Sequence, residues 1–306
     1  MPHNRRVLDR EFWRKRRRRF AARAVTRATG LIGASPRLRG LALRALLDQH
    51  LAPGALCLVP FGDHALYVDP RDDKIALKLM GGRCWQRREL ETAIGALRRA
   101  GQFRMGGVFI DVGANIGALS IYALKSGLFS EGIAIEPDPH NFAILKRNLS
   151  LNGFEQRVRA IEAAASRGAG RLQLVRNSKN HGAHSVERSF RSGRGEGIEV
   201  EALTLDDILA QEGVDADRVS LVKIDVEGHE LAVLDGMSRL LDARVPILVE
   251  LTADRDDVER LQRFKALLSP HYDRVLDLSD GIENAQPSRS LCDLTWRTSQ
   301  ADLLIC

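Results

Sequence analysis

The stretch VFIDVGANIG, residues 108–117, carries an apolar run into Asp111, Gly113, Ala114, Asn115 and Gly117. A carboxylate followed by a glycine-rich turn and a helix is a place where a small ligand is held at the carboxyl end of a parallel strand. Two kinds of ligand compete for it. A dinucleotide wants G-x-G-x-x-G, because the middle glycine lets a pyrophosphate come close to the backbone. Here Asn115 stands in the middle position, where its side chain obstructs that approach. A ligand with a cationic amine for Asp111 and a carboxylate for a helix N-terminus suits the turn better. Glu136 ends the next apolar run, 19 residues after Gly117, where a carboxylate can accept both hydroxyls of a ribose. S-adenosylmethionine offers these groups, and Pro137 and Ala163, at the ends of the second and third strands, complete the expected cofactor contacts. A nicotinamide or flavin site, and a turn kept only for tight geometry, are the competing readings.

A second group of charged residues lies downstream. Lys223, Asp225 and Glu227 alternate along VSLVKIDVEG and so point to one side, toward the carboxyl edge of the sheet. Asp225 is expected to touch the amino-acid end of the cofactor or the incoming nucleophile. Glu227 and Glu250, the latter at the end of VPILVEL, are expected to line an acceptor pocket, where a hydroxyl gains from a nearby base. Lys223 reads equally as a structural ion pair. His229 follows Glu227, and His181 and His184 lie in a polar loop, but no recognised ligand spacing joins them, so no metal is expected. The loop segment NHGAHS reads as a lid, with Asn180, Ser185 and His229 within reach of cofactor or acceptor.

These residues need a scaffold that brings strand ends together. GVFIDVG, GIAIEP, RVRAIEAAA, VSLVKIDVEG and VPILVEL are near-continuous apolar runs separated by helical patterns, which predicts a parallel sheet covered on both faces. HELAVLDGMSRLL reads as one helix, residues 255–268 as another, and DRVLDL and ADLLIC as the last strands, about seven in all. Two further strands at 170–176 and 197–203 bracket the polar loop. Before the sheet, residues 55–80 read as a hairpin and a helix start, and WQRRELETAIGALRRAG as a packing helix. The expected organisation is a basic helical arm over 1–50, a cap of hairpin and helix over 51–104, and the main α/β domain over 105–306.

Composition limits the function classes. At 306 residues, 44% apolar and 28% charged, the chain is of an ordinary folded type. Its net charge of +6 is unevenly placed: residues 1–50 hold 14 Lys+Arg against 3 Asp+Glu, leaving 32 against 37 for the rest. The body is mildly acidic and the arm strongly basic, which suits an exposed helix, a membrane surface or another polyanion. An acidic body, and the lack of an N-P-P-[YF] run or a Pro-Cys nucleophile, argue against nucleic-acid bases as substrate; an RNA methyltransferase using the arm is the rival enzyme, and a non-catalytic binding protein on the same fold the rival class. Four scattered cysteines indicate neither zinc nor disulfides. With no uninterrupted apolar stretch of about 18 residues and no secretory signal pattern, a cytoplasmic protein is expected, with attachment to the inner face of a membrane through the arm as an option.

Taken together, VFIDVGANIGALSIYALKSG, GIAIEPDPHNFAILKRNLSLNG with its paired Asn148 and Asn152, VEALTLDDIL, VSLVKIDVEGHELAVLDG and VPILVEL resemble the FkbM family of S-adenosylmethionine-dependent methyltransferases, over roughly residues 65–252. The K-I-D-V-E-G-x-E block is the most family-specific of these motifs. The resemblance implies a Rossmann-like class I methyltransferase fold and transfer to hydroxyls of sugar, glycan, lipid-linked or polyketide-type acceptors.

Overall fold

The computed structural model describes residues 51–176 except Pro53, then 184–186, 197–252, 257–278, 289–295 and 300–306, with Ser35, Leu41 and Ala45 besides. The basic arm therefore lies outside the described residues apart from those three, as do Asn180 and His181 of the expected lid. A hairpin of β1 (Cys57–Pro60) and β2 (Ala65–Val68) leads to helices α1 (Ile75–Met80) and α2 (Arg87–Arg99). The main alternation follows as β3 (Val108–Val112), α3 (Ala118–Lys125), β4 (Glu131–Ile135), α4 (Pro139–Leu151) and β5 (Val158–Ile161). Strands β6 (Ala164–Ala165), β7 (Gly170–Val175) and β8 (Gly197–Leu203) then form a small separate sheet. The chain returns through α5 (Leu205–Glu212), β9 (Val219–Ile224), α6 (Glu230–Asp235), α7 (Ser238–Asp242), β10 (Ile247–Thr252), α8 (Val258–Leu268), β11 (Arg274–Asp277), β12 (Arg289–Ser290) and β13 (Gln300–Ile305).

The large sheet has the order β12-β11-β13-β10-β9-β3-β4-β5. Seven of these are the expected strands, and the two-residue β12 extends one edge. From β10 to β5 every pairing is parallel, while β13 inserts antiparallel between β10 and β11. The chain winds outward from β3 through β4 to β5, then crosses back to β9 and β10 on the other side. Strand order thus reverses between β3 and β9, which is where an open parallel sheet leaves a crevice for a ligand.

Alternation along the strands sorts the core into two clusters. Val108, Ile110 and Val112 of β3 join α5, α6 and α8 on one face, whereas Phe109 joins α3 and α4 on the other. Both faces are covered, so every residue of β3 is buried. The hairpin, α1 and α2 pack into the second cluster through Leu66, Val68, Leu79, Leu90 and Leu97, all at most 1% exposed. They share one apolar interior with the sheet.

The paired asparagines explain how the hairpin is held there. Asn148 and Asn152 lie one helical turn apart on α4 and at its end, a rise close to the spacing of alternate residues along a strand. Asn148 Oδ1 accepts from Tyr67 N (2.6 Å), and its amide donates to Tyr67 O (3.0 Å) and to Ile116 O in the glycine-rich turn (2.9 Å). Asn152 repeats the pattern on Ala65 N (3.2 Å) and Ala65 O (2.8 Å). Two side-chain amides therefore act as a partner strand for β2. Asn148 is fully buried, so Asn148→Ala orphans three backbone groups and is expected to cost about 2–4 kcal/mol. Thermal unfolding checks this; a melting point equal to wild type would rule out the clamp.

Two local expectations are revised. Residues 229–241 do not form one helix, because Gly236 breaks the run between α6 and α7: a Cβ there would stand 2.1 Å from the carbonyl oxygen of Ser166. The run RVRAIEAAA is not one strand either. After β5 it leaves the large sheet, and Ala164 and Ala165 pair with Ala202 and Leu203 of β8 instead.

Candidate active site

The glycine-rich turn is closed upon itself. Gly113 N and Ala114 N both donate to Ile135 O at 3.0 Å, Asn115 N to Glu136 Oε2 at 2.9 Å, Ile116 N to Asn115 Oδ1 at 2.8 Å, and Gly117 N to Ala114 O at 2.8 Å. Every backbone N–H from 113 to 117 is thus used within the protein, leaving no cradle of amides for a pyrophosphate. Asn115 has φ +52°, a left-handed conformation that asparagine tolerates because its side chain bonds locally. That local bond is the one to Ile116. Gly113, at φ +80°, admits no other residue: a Cβ would stand 1.9 Å from the carbonyl oxygen of Asp225. The DVGANIG turn and the KIDVEG block are therefore in direct contact, and Asp225 N donates to Val112 O at 3.0 Å.

A row of charged residues crosses the sheet beside the turn. Asp111 on β3 is in register with Lys223 on β9, and Glu250 on β10 with Asp302 on β13. Asp111 is 1% exposed; its Oδ2 accepts from Ser120 Oγ (2.6 Å), while Oδ1, 4.0 Å from Lys223 Nζ, accepts no hydrogen bond. Burial pushes the Asp111 carboxyl above its ordinary range, against the pull of Lys223 and Ser120. Burial opposes the charge on Lys223, but Asp225, Asp111 and Glu250 outweigh it and keep the ammonium protonated. Asp225 Oδ2 takes Lys223 Nζ at 3.1 Å. Burial, then Asp225 and Asp302, push Glu250 up to about 9; burial, then Glu89 and Asp225, push Asp302 up to about 6. Carboxyls outnumber cations here, an arrangement that favours a cationic ligand.

Glu227 sits just beyond, at φ +47°. A residue held there stores on the order of 1–3 kcal/mol of backbone strain, which surrounding bonds must maintain. Ser185 Oγ donates to Glu227 O (2.8 Å), Gly228 N donates to Glu230 Oε1 (2.8 Å), and Arg260 joins Gly228 O (2.7 Å) to the Glu230 carboxylate. Burial, followed by Asp225 and Glu230, pushes the Glu227 carboxyl up to about 7. The second glutamate of the K-I-D-V-E-G-x-E block is thus the brace that fixes the conformation of the first.

Glu136 directly follows β4 with 5% exposure; Oε1 accepts from Asp138 N at 3.0 Å, and burial pushes the carboxyl up to about 7. Asp138 caps α4 by accepting from His140 N and Asn141 N, with Pro139 in the first turn, and also takes Arg176 Nε at 2.5 Å. The Asp-Pro pair before a helical pattern is a readable cap signal, so this support for Glu136 was available from sequence.

One cavity of about 860 Å³ connects these parts. Asp111, Gly113, Ala114, Asn115, Glu136, Pro137, Ala163, Asp225, Glu227, His229 and Glu250 all line it. Gly117 instead starts α3, and Ser185, expected to reach the cofactor or acceptor, turns its hydroxyl to the Glu227 carbonyl. His229 Nε2 shares a hydrogen bond with Ser166 Oγ (2.9 Å). Two lining residues, Gln86 and Asp302, have no motif around them in the sequence. Gln86, left-handed at φ +48° ahead of α2, donates from Nε2 to Asp225 Oδ2 (2.7 Å) and to Glu250 Oε2 (3.0 Å).

A doubly wound sheet with one inserted antiparallel strand, a pyrophosphate-excluding turn and an acid at the end of the second strand define a Rossmann-like methyltransferase fold. The chain belongs to the FkbM methyltransferase family: residues 111–278 match the Methyltransferase FkbM domain. It is 30% identical over 221 residues to the 31-O-demethyl-FK506 methyltransferase FkbM of Streptomyces tacrolimicus, covering 64% of this chain and 83% of that one. Identity to methyltransferase sdnD of Sordaria araneosa is 32% over 42% of this chain, spanning 59% of that relative. Identity to hexuronic acid methyltransferase AglP of Haloferax volcanii is 32% over 50% of this chain, spanning 60% of that protein. Among the described residues no helix is long and apolar enough to cross a membrane.

Proposed function

We propose that the chain is an S-adenosylmethionine-dependent O-methyltransferase whose acceptor is a hydroxyl on a sugar, glycan, lipid-linked or polyketide-type compound. The observation that carries this reading is the pairing of a turn with no amide left for a pyrophosphate and a cavity whose floor is rich in carboxyls. S-adenosylmethionine is cationic at both its amine and its sulfonium, has no phosphate, and supplies a methyl group that is already activated. Asp111, with an oxygen that accepts no hydrogen bond, would face the amine, and Glu136 would receive the ribose hydroxyls. Relatives named for a 31-O-demethyl compound and for a hexuronic acid support an oxygen-bearing acceptor.

With the methyl activated, the work of the protein is positioning and removal of a proton. Asp225, Glu227, Glu250 and Asp302 all line the cavity. Glu227, pushed up to about 7 by burial, can take the hydroxyl proton; Glu250, pushed up by burial and by its carboxyl neighbours, lines the cavity beside it. Gln86 bridges Asp225 and Glu250 by donating to both. Titration calorimetry with S-adenosylmethionine, S-adenosylhomocysteine and NAD is the direct test. The two sulfur ligands are expected to bind and NAD not to; binding of NAD alone would end the methyltransferase assignment.

A further inference from the structure

The cavity has a second wall of opposite charge, which the reading above leaves unused. Lys74, Lys78, Arg83, Arg87 and Arg88 line it, with Glu89 and Glu91 among them, contributed by the residue before α1, by α1, by the connection after it and by the first turns of α2. Arg87 is committed, to Glu91 at 3.0 Å and to the Tyr122 ring. The other four form no ion pair with a carboxylate among the described residues. Lys78 Nζ stands 4.2 Å from the centroid of the Trp85 ring, and the turn at 81–82 brings Arg83 back so that Arg83 N donates to Lys78 O at 3.0 Å. Burial first, then Arg83, lowers the Lys78 pKa, against the pull of Glu89 and Glu250. This concentration occurs in a body whose residues 51–306 are acidic overall.

We propose that this wall binds a carboxylate or phosphate carried by the acceptor, so that the preferred substrate is an anionic hydroxyl compound. Cations from residues 74–88 line the cavity beside the carboxyls of the strand ends, Lys74 within electrostatic reach of Glu227 and Lys78 of Glu250, so a cationic cofactor is drawn to the carboxyls and an anionic acceptor to the cations next to them. The proposal rests on the cavity being the methyl-transfer site.

The test is a ligand-observed NMR titration of the S-adenosylhomocysteine-loaded protein with methyl glucuronide, glucose 6-phosphate and methyl glucoside. At least one of the two anions is expected to bind about tenfold more tightly than the neutral glucoside, and raised salt to narrow the gap. Whichever anion binds more tightly identifies carboxylate or phosphate as the recognised group. The Lys78→Ala/Arg83→Ala double variant is expected to erase the preference, and Arg83→Glu to reverse it, with circular dichroism confirming that both fold. Equal binding of the glucoside, no binding by either anion, or a preference that survives the double variant would overturn the proposal. Failure of S-adenosylhomocysteine to bind would instead remove the methyltransferase reading, and the same titrations on the protein alone would still report on the wall.

Discussion

Glu136→Ala is expected to weaken S-adenosylmethionine binding several hundredfold. A carboxylate receiving two ribose hydroxyls makes two charge-assisted hydrogen bonds, together worth roughly 3–4 kcal/mol. The side chain also accepts from Asn115 N and Asp138 N, so alanine loosens the turn as well. Glu136→Gln separates the two effects: it keeps the shape and one acceptor oxygen, and its loss should be intermediate. Calorimetry on both variants checks this, and wild-type affinity in Glu136→Ala would remove Glu136 from the cofactor site.

The same carboxyl sets a pH dependence. Burial pushes Glu136 up to about 7 from an ordinary 4.5, and only the ionised form accepts two hydroxyl hydrogens. Cofactor affinity should therefore fall as the pH drops below about 7, with a slope that flattens in Glu136→Gln. The sign for stability is the reverse. A carboxyl whose folded pKa lies above its unfolded value binds a proton on folding between the two, so stability falls as pH rises from about 4.5 to 7. Glu227 and Glu230, also near 7, add to this trend. Cofactor, by bringing positive charge to the carboxyls, should offset that loss.

Asp225→Asn is the second large effect, on turnover. The substitution removes a charge that Lys223 Nζ meets at 3.1 Å and Gln86 Nε2 at 2.7 Å, and it leaves Lys223, 4% exposed, with only the weaker pull of Asp111 and Glu250. Loss of a charge that positions the groups at the reacting edge costs on the order of 10²-fold in rate. We expect kcat to fall by about that amount while cofactor affinity moves less than for Glu136→Ala. Glu227→Gln discriminates the roles: removing the group that titrates near 7 should abolish the acid limb of the pH–rate profile, whereas Asp225→Asn should keep the limb at reduced height. Unchanged turnover in Asp225→Asn would refute the assignment of the reacting edge.

The strands, the helices and the turn were legible in the sequence because each depends on neighbours within a few residues. Apolar runs of strand length alternate with helical patterns, and DVGANIG carries its own geometry in Gly113 and Asn115. The end of the second strand, and with it Glu136, follows from the same alternation. The K-I-D-V-E-G-x-E block announced a site, but the division of labour within it did not show: Glu227 faces the cavity, while Glu230 is fully buried and braces the turn with Arg260.

The remaining features belong to tertiary structure. Gln86 meets partners 139 and 164 residues away in the chain, and Asp302 becomes a neighbour of Glu250 only through the antiparallel register of β13. Asn148 and Asn152 are ordinary helix residues until β2 lies along them. Lys74, Lys78, Arg83 and Arg88, which form no ion pair with a carboxylate among the described residues, look like solvated surface charge in the sequence; they stay exposed, but line the cavity once the cap packs against α3 and α4. Sequence by itself determined which local structures form and where the glycine-rich turn lies, since propensity, periodicity and turn chemistry act over short separations. Which side chains face one another across the cavity was decided by packing, because burying the apolar faces of the sheet and cap is what brings distant segments into register.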